Sequence, residues 1–247
     1  MLKIITLITK FIVVTIIALL FGSCNHIERL NSITGSGNVT TEKRTVTGDF
    51  KNVEVSNALD LVIEQSDKTE IIVEADDNLQ KEITTTIQNG VLVIGCNVGN
   101  FINVTTKKVT VKMPIIEGLD ASSASTISSN STLKGNSLSL TTSSAANIKA
   151  TVEYENIEIS TSSASHQSIK GKAIHVETSS SSGSILDAGE LLANEIVSDA
   201  SSGSSTTVSP IVSLKADASS GGSITYNKTP KKSIHIDENS GGNVHKE

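Results

Sequence analysis

The stretches Leu138-Ser139-Leu140-Thr141-Thr142-Ser143-Ser144-Ala145 and Ile157-Glu158-Ile159-Ser160-Thr161-Ser162-Ser163-Ala164 are one phrase written twice, 19 residues apart. The serine that precedes a small Ala or Gly marks the phrase wherever it recurs. These markers are Ser123, Ser144, Ser163, Ser182, Ser202, Ser220 and Ser240, at intervals of 21, 19, 19, 20, 18 and 20 residues. Six positions ahead of each marker stand Glu117, Leu138, Ile157, Val176, Ile196, Leu214 and Ile234. Four ahead stand Leu119, Leu140, Ile159, Thr178, Ser198, Ala216 and Ile236, and two ahead stand Ala121, Thr142, Thr161, Ser180, Ala200, Ala218 and Glu238. A further apolar residue follows each marker: Ile127, Ile148, Ile169, Ile185, Val208, Ile224 and Val244.

A spacing of two makes each phrase a strand with one face turned inward. A spacing of about 20 residues lays each strand on its equivalent one coil earlier, so like side chains stack about 4.8 Å apart. The expected fold is therefore all-β, a β-solenoid over residues 117–247, with a rod section of about 30 Å from seven such levels. Small residues at each Ser-Ser-[Ala/Gly] step are expected at sharp corners, where a bulky side chain would strike the coil above. Composition agrees: aromatic residues are 2% of the chain, and Ile, Val, Leu and Ala fill a background of Ser, Thr, Asn and Gly.

Residues 35–116 read as ordinary strands joined by turns, a hairpin-rich portion ahead of the coils. Ile83–Gln88 and Val91–Gly95, joined across Asn89-Gly90, form the clearest hairpin. At the amino terminus, Lys3 and Lys10 precede the apolar run Phe11 to Phe21 and then Gly22-Ser23-Cys24. A basic start, a short apolar run and small residues make residues 1–23 a signal peptide, too short for the roughly 20 apolar residues of a comfortable membrane span. Phe21-Gly22-Ser23-Cys24 resembles the lipobox of bacterial lipoproteins, with Phe in place of the usual Leu. That resemblance implies a lipidated Cys24, a tether over 24–34 and anchoring in the cell envelope, in the outer membrane, where several acyl chains hold the protein stably. Cys96 then has no partner for a disulfide and is expected to be a buried, inert thiol.

The run Gly35-Ser36-Gly37-Asn38-Val39, then Arg44, then Gly48-Asp49-Phe50-Lys51-Asn52-Val53-Glu54-Val55, resembles the opening of the putative auto-transporter adhesin, head GIN domain family. Leu59-Asp60-Leu61-Val62-Ile63-Glu64-Gln65 and the Ser/Gly-rich coils continue the resemblance to about residue 245. It implies a right-handed, single-stranded parallel β-helix and an adhesive surface role, and it brings no catalytic residues with it. The first part of the family's name implies a C-terminal membrane barrel of amphipathic strands. None is legible before Glu247, so self-secretion is not expected.

Candidate chemistry is sparse. Asp199, Asp217 and Asp237 fall in the column three positions ahead of the markers, facing solvent on consecutive coils. Stacked like charges repel, so a Ca²⁺ ion bridging them is the sharp reading and a solvated acidic face the plain one. The five histidines occupy different columns, no Gly-x-Ser-x-Gly elbow is present, and no cofactor or catalytic residue is expected. A formal charge of −6 disfavours nucleic acid. The expected function is thus an adhesin-like envelope protein presenting Ser, Thr and Asn to a glycan or an envelope protein. A structural or accessory envelope role is the alternative, and a carbohydrate-active enzyme a more distant one. Weak self-association is expected through the last coil, which His245-Lys246-Glu247 would otherwise guard.

Overall fold

The computed structural model describes residues 32–247; the signal segment, Cys24 and most of the tether lie outside the described residues. The regular part of the chain is a stack of long strands that bend round the coil: β11 (Thr126–Thr142), β12 (Asn147–Thr161), β13 (His166–Ser180), β14 (Ile185–Ala200) and β15 (Ser205–Ala218), preceded by β10 (Gly118–Ala121). Each pairs in parallel with the next, and the short strands β16 (Ser223–Tyr226), β17 (Ser233–Glu238) and β18 (Asn243–Lys246) complete the far end. The result is a β-solenoid of about six turns.

The repeat register is observed residue for residue. Leu138 pairs with Ile157, Ile157 with Val176, Val176 with Ile196, Ile196 with Leu214 and Leu214 with Ile234. The first five are 2–3% exposed and form a single buried file, whereas Ile234 in the last turn is 45% exposed. The neighbouring file runs Leu119, Leu140, Ile159, Thr178, Ser198, Ala216 and is also buried. It turns polar in mid-stack, where Thr178 donates to Ser198 at 2.8 Å. This exchange keeps a narrow interior filled while the two hydroxyls satisfy each other.

The apolar column after the markers needs correction. The inward file there is Ile127, Ile148, Gln167, Leu186, Thr206, Ile224 and Val244. Ile185 instead points outward at 48% exposure, and Ile169 and Val208 lie deeper along their strands. Polar residues hold two inward places, so matching by hydrophobicity alone slides onto the wrong neighbour. Gln167 is fully buried and donates its amide to the Leu140 and Ser160 carbonyls and the Thr142 hydroxyl.

Ahead of the coils lie β1 (Ser32–Thr34), β2 (Val39–Arg44), β3 (Asn52–Val55), β4 (Asp60–Gln65), β5 (Glu70–Asp76), β6 (Ile83–Gln88), β7 (Val91–Cys96), β8 (Asn100–Ile102) and β9 (Lys107–Met113). The hairpin β6–β7 turns through Asn89 and Gly90, both at positive φ. Residues 116 and 117 mark a change of topology within one sheet. β3 stacks in parallel between β7 and β10, and β4 between β9 and β11. The coil made of β7 and β9 thus lies beneath the coil of β3 and β4, although it follows it in sequence. The chain then climbs back through Pro114-Ile115-Ile116 to resume stacking on the earlier coil. Antiparallel β2, β5 and β6 close this proximal end over Leu79, Ile83, Leu92 and Ile94.

Candidate binding face

All seven marker serines sit at equivalent corners, with φ between 48° and 54°. The next residue is also left-handed, from Ala164 at 58° to Gly241 at 78°. Two successive positive φ values, closed by bonds such as Ser125 N–H to Ser122 O at 3.1 Å, are the signature of a type I′ turn. Asn57 and Ala58 form one more such corner, which the Ser-Ser spacing did not reveal. Backbone sign, and not collision with the next coil, selects small residues here: a Cβ at Gly183, Gly203, Gly221 or Gly241 would meet nothing within 4 Å.

The serines that join the coils stand two places beyond the markers. Ser125, Ser184 and Ser204 are buried and donate to the Val55, Thr161 and Ser180 carbonyls of the preceding coil, at 2.9, 2.8 and 2.9 Å. Ser165 joins a network with the Thr142 hydroxyl and the Ser162 carbonyl. Their signal was present in the sequence as Ser125, Ala146, Ser165, Ser184 and Ser204, but the exposed markers drew the reading instead.

The Gly35-Ser36-Gly37-Asn38 run clasps the turn Asp76-Asp77-Asn78. Asp76 is fully buried and accepts bonds from the Gly37, Thr105 and Thr106 amides at 3.0, 3.1 and 3.2 Å. Burial pushes its pKa up, but these donors outweigh burial and hold it below the ordinary aspartate value. A Cβ at Gly35 would stand 2.7 Å from the Asn103 carbonyl, so only glycine allows the approach.

Outward positions on the strands Ser137–Thr142, Asn156–Thr161, His175–Ser180 and Glu195–Ala200 bound a groove of about 420 Å³ along the solenoid. Its floor is Leu138, Ile157 and Val176. One wall carries Asn156, His175 and Glu195, the last two paired at 3.1 Å; the other carries Glu158, Glu177 and Val197. At the proximal end Lys51 pairs with Glu117 at 2.8 Å. Beside this groove, Asp199, Asp217 and Asp237 stack on successive coils in the expected register. Burial and then Asp217 raise the pKa of Asp199, and the opposing pull of Lys215 does not cancel them. Among the described residues, no three His, Cys, Asp or Glu side chains converge to hold a metal ion. Cys96 is half-buried, and burial pushes its thiol pKa up.

A second hollow, of about 600 Å³, lies at the proximal end against Val46, Phe50, Ile71 and Ile115, with Lys43 and Arg44 at its edge. Lys43 is engaged with Glu70 at 2.6 Å, and Arg44 with the Gln80 side chain at 3.0 Å.

Comparison with known proteins follows the same lines. The model of the family described as putative auto-transporter adhesin, head GIN domain, matches residues 49–230, so that the clasp and β2 precede the matched region. A comparison with the curated proteins finds no match. Among solved structures, a putative adhesin from Bacteroides fragilis NCTC 9343 superposes with a TM-score of 0.79 at 17% identity, covering 87% of this chain and 100% of that one. A putative adhesin from Parabacteroides distasonis ATCC 8503 gives 0.70 at 20% identity, with 87% and 100% covered. A putative lipid binding protein from the same strain gives 0.68 at 18% identity, with 87% and 99% covered. At these identities the likeness is one of fold.

Proposed function

The chain belongs to the putative auto-transporter adhesin, head GIN domain family, and from that membership we propose that it is a lipid-anchored envelope protein that binds a glycan or another envelope protein through the grooved face of its solenoid. The observation that carries this reading is the groove itself. Its aliphatic floor and its walls of Asn, His and Glu offer directed hydrogen-bond acceptors over an apolar base, the usual make-up of a recognition surface. The family and two of the three structural neighbours carry an adhesin name and the third is named a lipid binding protein, which supports a binding role.

Two measurements test the reading. Cells carrying Cys24→Ala are expected to release the protein from the membrane fraction; retention there would sink the anchor. Protease treatment of intact cells is expected to degrade the wild-type chain, and complete protection would turn the choice toward the accessory role. That second reading is favoured by β17, whose residues are all exposed and whose outer edge carries Ile234 and Ile236 at 45% and 40% exposure. An uncovered strand edge of this kind invites pairing with a neighbour.

A further inference from the structure

One file of the grooved face has a symmetry that a single copy does not use. In stacking order it reads Ser139, Glu158, Glu177, Val197, Lys215, His235, each paired in register with the next. From Glu158 to His235 all five are exposed. Two acids lie on one side of Val197, and a lysine and a histidine lie at equal distances on the other, in steps of about 4.8 Å. Among the described residues, neither Glu158 nor Glu177 lies within ion-pair distance of a cation of the same chain, and Lys215 makes no close ion pair, only a longer-range attraction to Asp199. Val197, at 38% exposure, is an apolar centre between them.

We propose that this face pairs with the same face of a second copy, about a twofold axis running along the strand of Val197. The pairing deepens the binding reading by naming the partner of that face. The axis reverses the solenoid direction and leaves each file opposite itself. Val197 then meets Val197, Glu177 meets Lys215 of the second copy, and Glu158 meets its His235, each contact occurring twice as in any isologous dimer. In the adjoining file, Ser179 and Ser160 face Asp217 and Asp237, so hydroxyl donors meet carboxylates. On the axis Asp199 meets Asp199 and, at the other wall of the groove, Glu195 meets Glu195, the latter beside the His175 that pairs with it at 3.1 Å. A patch five coils high and one strand wide is about 24 Å by 20 Å, which buries roughly 1,000 Å² in total and so belongs at the weak end of specific interfaces. In this arrangement the two copies of β1, where the described residues begin, lie at opposite ends, because β1 sits at the end remote from β17. If the chain is anchored through its start, copies on two facing membranes are held together this way.

Sedimentation equilibrium of the full chain, purified in detergent and followed across concentration and salt, tests the pairing without relying on the anchor. The wild type is expected to shift from monomer to dimer as concentration rises, and back as salt is added. Glu177→Lys and Lys215→Glu should each weaken the dimer by about tenfold, since every substitution acts twice, and the double swap should restore it. Asp199→Asn should tighten it by removing its like-charge pair on the axis. A monomeric wild type, single variants that dimerise like the wild type, a double variant as weak as the singles, or an Asp199→Asn variant that binds no tighter would each overturn the proposal. The substituted positions are exposed, and an unchanged β signal in circular dichroism for each variant excludes unfolding as the cause.

Discussion

Two glycines of adjacent corners should respond to very different degrees to the same added methyl group. Gly203 has φ of 70°, and a Cβ there would meet nothing within 4 Å. Alanine in the left-handed region costs about 1–2 kcal/mol, and the stiffer unfolded chain returns about 0.4–1 kcal/mol, so Gly203→Ala should cost only about 0.5–1 kcal/mol. Ala145 and Ala164 already occupy the equivalent place at 60° and 58°. Gly222 lies two residues beyond its own marker, Ser220, and has no left-handed backbone to accommodate. A Cβ there would stand 2.7 Å from the Ser201 amide nitrogen and closer still to the Ala200 carbonyl, both rigid backbone of the coil beneath. Relieving that contact means prising two hydrogen-bonded coils apart, an overpacking cost of about 2–3 kcal/mol. Urea unfolding of the full chain, followed by circular dichroism, compares the two. Because coils are coupled mainly to their neighbours, the early part of the transition is the sensitive part. If Gly203→Ala proves the more damaging, steric room and not backbone sign governs the corners, and the account of them fails.

Three further outcomes are expected. Ile157→Ala, deep in the buried file, should destabilise by about 2–4 kcal/mol, whereas Ile234→Ala at the exposed end of the same file should change stability by less than about 0.5 kcal/mol in thermal unfolding. Asp76→Asn should cost about 2–3 kcal/mol, because its amide nitrogen would face backbone donors where a carboxylate accepted from them; equal denaturant midpoints would refute the clasp. The pH dependence should have two opposed parts. Asp76 has a lowered pKa, so its stabilisation is present above the ordinary aspartate range and fades as pH falls through its folded value. Asp120 and Asp199 have raised pKa values, chiefly through burial and then through Glu54 and Asp217 respectively. Their contribution is present in acid and is lost as pH rises through those raised values. Asp199→Asn should therefore exceed the wild type in stability at neutral pH, with the gap closing on acidification; a gap independent of pH would refute this.

The coils were legible because identity repeats there at a period the backbone cannot hide. Leu138, Ile157, Val176, Ile196 and Leu214 are chemically alike and fall on one another. Where the interior accepts Gln167 or Thr206, matching by apolar character lands on residues such as Ile185, which faces outward. The Ser-Ser-[Ala/Gly] steps carry paired positive φ values, and their glycines leave room for a Cβ where the sequence reading expects a collision, since positive φ leaves no trace in composition beyond a preference for small residues. The reversed order of the proximal coils was not legible at all. Hairpins predict neighbours in sequence, and the contacts of β3 with β10 and β7 join residues whose separation nothing in the pattern announces. Of the binding face, the Asp199 column was foreseen, but the groove was not. Its walls come from alternate residues on four strands, and their convergence depends on how sharply each strand bends.

The doubling back of the chain at the proximal end gives the rod two mechanically different ends. A pull on the last coil meets strands bonded on one side only, and the stack can unravel turn by turn, each step releasing the length of one repeat. A pull on the start of the chain meets β1, the Asp76 clasp and a coil trapped between two others, which must shear together before any slack is paid out. The same rod thus gives way in small increments at one extremity and resists as a single block at the other.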